Sequence, residues 1–125
     1  MIDDPNAPEQ PIFSTELLQD TLIVLPQARL DSLQADIDRE LNQVLEQLLQ
    51  SGARHMVIDL QNSHHFGTAM LGGMVRLWKR VCTHGGHLAL CNVDDDLLNV
   101  LRFTKLHMIW PIHGTRQEAL NAVHA

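Results

Sequence analysis

The sequence predicts an α/β domain built on a mostly parallel sheet. Three observations carry this: short apolar runs alternate with segments of helical periodicity, helix caps and glycines fall between them, and 125 residues suffice for one ordinary core. Residues 1–11 carry Asp3, Asp4, Pro5, Pro8 and Pro11 without apolar periodicity and are expected to form a mobile tail, leaving 12–125 as the domain.

Ile12-Phe13 and Leu22-Ile23-Val24-Leu25 read as two strands separated by a polar bend around Gln19-Asp20. From Leu33 the positions Ile37, Leu41, Val44, Leu45, Leu48 and Leu49 recur at helical spacing, with Asp31 and Gln34 suited to capping the start and Gly52 to closing the end. Met56 to Leu60 is the next strand. A helix then opens at Thr68 with a stripe of Leu71, Met74, Val75, Trp78, Val81 and Cys82, and Gly85-Gly86 stops it.

Leu88-Ala89-Leu90-Cys91 is a buried-type strand. Asp94-Asp95-Asp96 then sets carboxylates in the first turn of a helix carrying Leu97, Leu98 and Leu101. Met108-Ile109-Trp110 reads as a short last strand, and Thr115 with Glu118 has the spacing of a capping box before a terminal helix with Leu120 and Val123. The order β-β-α-β-α-β-α-β-α implies right-handed crossovers, a sheet of four to five strands with an N-terminal edge strand, and helices mainly on one face.

An apolar fraction of 45% and a charged fraction of 19% are globular values. A net charge of −6 without a Lys/Arg cluster argues against nucleic acid, whose affinity for proteins comes from groups that neutralise phosphates. No apolar run approaches the roughly 18 residues of a membrane helix, and the acidic start does not resemble a signal peptide, so a cytoplasmic protein without direct membrane insertion is expected. Cys82 and Cys91 read as reduced core residues.

Chemistry concentrates at the turn into the second helix. Thr68 places a hydroxyl at a helix N-terminus, beside free backbone N–H groups and the positive end of the helix dipole, where an anion is well received. Two readings stand: an N-cap, or a phosphoacceptor whose modification adds about −1.5 to −2 charge. Gly72-Gly73 in the first turns permits either close approach of a partner or tight packing on a neighbouring element. His64-His65 lacks metal-ligand spacing, and no nucleophile elbow, phosphate loop or paired-carboxylate pattern is present. Catalytic residues, metal and cofactor are therefore not expected.

The order of elements and several local motifs resemble the STAS domain family of bacterial anti-sigma factor antagonists, over about Phe13 to Val123. Ala28-Arg29-Leu30-Asp31 resembles the family's Gly-x-Leu-Asp turn, and Val57-Ile58-Asp59-Leu60 its apolar strand ending in Asp-Leu. Phe66-Gly67-Thr68-Ala69-Met70-Leu71 aligns with its phosphorylation motif, an apolar residue then Asp-Ser-Ser/Thr-Gly-Leu. Gly85 to Cys91 looks like the Gly-Gly-x-Leu strand entry, and Leu97 to Ile109 like the helix and Leu-x-x-Ile segment after it.

What the resemblance implies is the STAS fold and a protein-binding module without catalysis, working in partner switching. Its partner would be an anti-sigma factor that is also a serine/threonine protein kinase, with Thr68 as phosphoacceptor. The partner-binding surface would comprise Arg29, Leu30, Asp31, Ser32, Gly67, Thr68, Met70, Gly72, Gly73, Val93, Asp94 and Asp95. A monomer or weak homodimer is expected. The motif departs from the family's at Gly67, Ala69 and Met70, with Met70 expected as an exposed or half-buried thioether at the docking edge. The alternative is an unphosphorylated STAS scaffold or regulatory subunit in a stress-signalling assembly or a lipid-transport ABC system.

Overall fold

The structure, a computed structural model, describes residues 12–27, 34–63 and 68–124. Arg29, Leu30, Asp31, Ser32 and Gly67, together with the 1–11 segment and His64-His65, lie outside the described residues.

Five strands form one sheet in the order β1-β2-β3-β4-β5. β1 (Phe13–Leu18) runs antiparallel to β2 (Thr21–Pro26), while β3 (His55–Asp59), β4 (Leu88–Cys91) and β5 (Ile112–His113) continue parallel to β2. The helices are α1 (Gln34–Ser51), α2 (Thr68–Thr83), α3 (Asp95–Phe103) and α4 (Arg116–Val123). This is the expected order, with β1 as the N-terminal edge.

The sheet's two faces divide the strand side chains by alternation. Leu22, Val24, Met56, Ile58, Leu88 and Leu90 point into the main core with α1, α2 and α3. Ile23, Leu25, Val57, Ala89 and Cys91 point the other way, against Ala119, Leu120 and Val123 of α4. Three helices thus cover one face, as expected, and the short α4 covers the second. Coverage of both faces explains why the central strands read as unbroken apolar runs, each large side chain contributing about 1.5–3 kcal/mol on burial.

Two sequence expectations are corrected. The last strand is not Met108-Ile109-Trp110: Leu106–Met108 forms a 3-10 turn, Trp110 drops into the core, and β5 starts only at Ile112. Lys105 at φ 63° swings the chain out of helix α3, and the carbonyl of Pro111 is the first group after the turn to meet the sheet, accepting from Leu90 N–H at 2.8 Å. The buried stripe of α2 is Met70, Met74, Leu77 and Val81, while Leu71, Val75 and Trp78 are half-buried and Cys82 is exposed. A helix apolar around most of its girth offers two adjacent stripes to periodicity, and packing on α1 through Gly73 and Leu41 selects the earlier one.

Gly85 and Gly86 do end α2, each for its own reason. Gly85 adopts φ +75°, and a Cβ on Gly86 would drive into the backbone carbonyl of Arg54. This close approach sets the loop beside the start of β3.

At the N-terminal end of the parallel strands, Asp20 gathers polar groups from distant elements. Its backbone carbonyl accepts from the N–H groups of Arg54 and His55, and its side chain meets His124 Nε2 at 2.6 Å. His124 Nδ1 lies 2.9 Å from the Leu120 carbonyl, so both ring nitrogens face acceptors and the imidazolium is favoured. The bond to Asp20, with the Leu120 carbonyl second, holds the His124 pKa above the ordinary 6.5, and the same bond holds Asp20 below the ordinary carboxylate range. The buried ring of His55 behaves oppositely, burial holding its pKa down.

A raised imidazole pKa stabilises the fold fully below 6.5 and loses that contribution as pH rises through the raised value. A lowered carboxylate pKa contributes above the ordinary carboxylate range and loses it on acidification. The His124–Asp20 pair therefore acts in the window between them. The expected result is a His124 ring-proton NMR titration with a midpoint above 6.5, returning toward 6.5 in Asp20→Asn.

Candidate partner-docking site

Because β2, β3 and β4 are parallel, their C-terminal ends collect at one end of the sheet, and the chain leaves that end to start α2 and α3. Asp59, the last residue of β3, is 1% exposed and organises this end. Its Oδ1 accepts from the Gln61 backbone N–H at 3.1 Å and from Asn92 Nδ2 at 2.9 Å. Its Oδ2 accepts from Arg116 Nε at 2.9 Å, and Arg116 also donates to Glu16 Oε2 on β1 at 2.8 Å.

One carboxylate thus fixes the exit of β3, the exit of β4 and the start of α4. Asn92 at φ 55° takes the left-handed conformation that Asn tolerates, which turns its amide toward Asp59. Ser63, also buried, donates its hydroxyl to the Pro26 carbonyl at 2.7 Å and ties the loop to the end of β2. Next to Asp59 the Cys91 thiol is pushed up to about 12, by burial first and then by the neighbouring carboxylate, so it is no nucleophile near neutral pH. Cys82 and Cys91 are both free.

α2 opens at Thr68, as the sequence implies, and its first turn contains no acidic residue to neutralise the positive end of its dipole. Gly72 is exposed with open space where a side chain would stand. Gly73 is buried, and a Cβ there would rest 3.5 Å from the Leu41 methyl groups. The two glycines therefore divide the roles left open between them: Gly72 faces outward and Gly73 packs on α1.

Met70 is a correction. It is 3% exposed and belongs to the core, so its thioether does not reach the docking surface. Val93 is half-buried against the same core. Asp94 is the N-cap of α3, accepting from Leu97 N–H at 2.8 Å, which leaves Asp95 and Asp96 as the exposed carboxylates of that first turn. Among the described residues at this end, Gly72, Asp95 and Asp96 are exposed and Ala69 and Leu71 are half-buried.

The pattern of the STAS domain matches residues 13–119. The chain belongs to the STAS domain family. It is 27% identical over 112 residues to a candidate anti-sigma factor antagonist of Thermotoga neapolitana, covering 90% of this chain and 97% of that one. An anti-sigma-factor antagonist (STAS) domain protein of Planctomyces limnophilus superposes with a TM-score of 0.76 at 26% identity, over 90% and 98% of the two chains. The Bacillus cell fate determinant SpoIIAA, solved in its phosphorylated form, shares the fold with a TM-score of 0.69 at 15% identity, over 89% and 98%.

The sequence marks Asp59 through the Asp-Leu ending of its strand but offers no signal for its partners Asn92 and Arg116 in this STAS domain. Arg116 and Asp59 are 57 positions apart, and only the fold brings them together. Nor did it flag the cluster at the opposite end, where donor atoms of Asp20, His55 and His124 fall within 4.8 Å of one another. Metal coordination fits that cluster poorly. His55 Nδ1 already accepts the His87 N–H at 3.0 Å, so its Nε2 carries the proton and is a donor, not a ligand.

The hub predicts its own cost. Asp59→Ala leaves Arg116 without its buried partner and two further donors unpaired, and is expected to destabilise the fold by roughly 2–4 kcal/mol in urea unfolding. Gln61→Ala is the control, because its contribution is a backbone N–H that the substitution keeps; its midpoint is expected to stay near wild type.

Proposed function

We propose that this STAS domain is an anti-sigma-factor-antagonist-type binding module in partner switching, and that it docks its partner at the end of the sheet where α2 and α3 begin. The partner is an anti-sigma factor acting also as a serine/threonine kinase, and Thr68 is its phosphoacceptor. The observation that supports this reading is the start of α2: Thr68 at the first position, no carboxylate in the first turn, and an exposed, side-chain-free Gly72 one turn on.

The physics of the switch follows from that surface. A phosphoryl group at the start of α2 gains from the free N–H groups and dipole, worth about 0.3–1 kcal/mol at an exposed site. It also adds to the negative charge of Asp95 and Asp96 on α3. A partner surface selected for the bare helix start then meets a bulky dianion, so binding is lost without any need for a change of fold.

The role is binding, not catalysis, and the location is the cytoplasm. In support, no helix among the described residues is long and apolar enough to cross a membrane. Gly67, Ala69 and Met70, which differ from the family's acceptor motif, favour the second reading, in which the same surface serves a constitutive scaffold without phosphorylation.

Intact mass after incubation with ATP and the cognate kinase separates the two. The switch reading expects a gain of one phosphate that disappears in Thr68→Ala. Complex formation with no mass change in wild type would sink the switch and leave the scaffold. Gly72→Ala probes the surface itself: helix propensity raises stability by about 0.5–1 kcal/mol, while the added methyl weakens partner affinity in a binding titration. If affinity rises or holds with stability, Gly72 lies outside the interface.

A further inference from the structure

A second surface lies at the other end of the sheet, where β5 is too short. β5 pairs only with Leu90 and Cys91, so among the described residues the first half of β4 has no strand neighbour on that side. Leu90 N–H donates across this edge to Pro111, and by strand alternation the N–H and C=O of Leu88 face the same way. They face a groove of about 430 Å³. Trp78 of α2 contributes a wall on the main-core side and Ala122 and Val123 of α4 on the other, with Ile109 also lining it, so the groove occupies the place a longer β5 would fill.

The chain is diverted from that place by the turn after α3, which projects its own apolar groups. Phe103 is 90% exposed, Met108 75% and Ile109 48%. The turn is held by hydrogen bonds from Lys105 to Arg102, Met108 to Lys105 and Ile109 to Leu106, and Lys105 keeps a left-handed φ of 63° that a non-glycine residue adopts only at a cost.

Charge narrows the occupant. None of the 15 carboxylates falls in residues 60–93 or 97–117, which supply α2, β4 and the whole turn, although the net charge is −6. Lys79 and Arg80 on the last turns of α2, and Arg102 and Lys105 around Phe103, are exposed. Lys79 and Arg80 lie between the groove-lining Trp78 and Cys82 on α2, so the α2 side of the groove is cationic on an acidic protein, while Glu118 belongs to α4 on the far wall.

We propose that this groove is a docking site for an extended segment of a partner protein, apolar over a few residues and flanked by carboxylates, which adds a short strand to the open edge of β4. Main-chain hydrogen bonds to Leu88 supply the register. Apolar side chains of the segment enter on both faces, since both walls are apolar, and its carboxylates meet Lys79 and Arg80 on the α2 side. The site is distinct from the α2–α3 docking end and operates whether or not Thr68 is modified.

The probe is a fluorescein-labelled peptide, Asp-Glu-Val-Ile-Val-Asp-Glu, followed by anisotropy, with Lys-Lys-Val-Ile-Val-Lys-Lys as the control. Saturable binding of the acidic peptide alone, weakened about tenfold or more by Ile109→Glu and progressively by added salt, is the expected result. Ile109 is half-exposed, and a circular-dichroism melt checks that the variant folds. Thr68→Ala is expected to leave the binding unchanged. The proposal is overturned if millimolar acidic peptide does not bind, if both peptides bind alike, or if Ile109→Glu has no effect. It is likewise overturned if the Ile109-sensitive ligand proves to be phosphatidylglycerol vesicles or a second copy of the chain.

Discussion

The buried carboxylate of Asp59 is the constraint on which the C-terminal end of the parallel strands depends. Taking a carboxylate out of water costs several kcal/mol, and the fold offsets this with a guanidinium, a side-chain amide and a backbone N–H, one from each of three segments. The result is geometric as much as energetic. The residues that leave β3 and β4, Gln61 and Asn92, are referred to one point at the end of the central strand, and Arg116 carries that reference on to Glu16 of the edge strand. An apolar residue at position 59 would fill the volume and leave these segments without a common anchor.

The same logic holds α4, which would not persist alone. At eight residues it is shorter than helices stable in isolation, and it buries only Ala119, Leu120 and Val123. Polar clamps fix both its ends: Arg116 to Asp59 at its start, His124 to Asp20 at its close. Thr115 adds an N-cap by accepting from Glu118 N–H. Two carboxylates at opposite ends of the sheet thus seat the one helix that covers the second face, and this face in turn lets β3 and β4 be apolar on both sides.

What sequence reading reached here was set by how local the cause is. The runs of β2, β3 and β4 and the stripe of α1 are local, and their elements stand where periodicity puts them. β5 lies a few residues later than expected because Met108-Ile109-Trp110 has the composition of a strand, while the deciding events are a left-handed Lys105 and a tryptophan drawn inward by tertiary packing. At the site, the motif located the start of α2, but three consecutive aspartates cannot announce which one caps α3 and which face solvent. The Asp59–Arg116–Asn92 hub was illegible for a different reason: its members share no spacing, and only the crossover topology makes them neighbours.

Met70 shows how a departure from a motif can strengthen the site it disturbs. The family places glycine at this position, whereas here a thioether fills the core beneath the first turn of α2. That burial anchors the first turns of α2 from below, while Asp59 holds Gln61 and Ser63 holds Pro26 at the ends of β3 and β2. Buried Met70 and Gly73 and exposed Gly72 thus lie within the first two turns of one helix. The apolar interior beneath the start of α2 is thus what holds its shape.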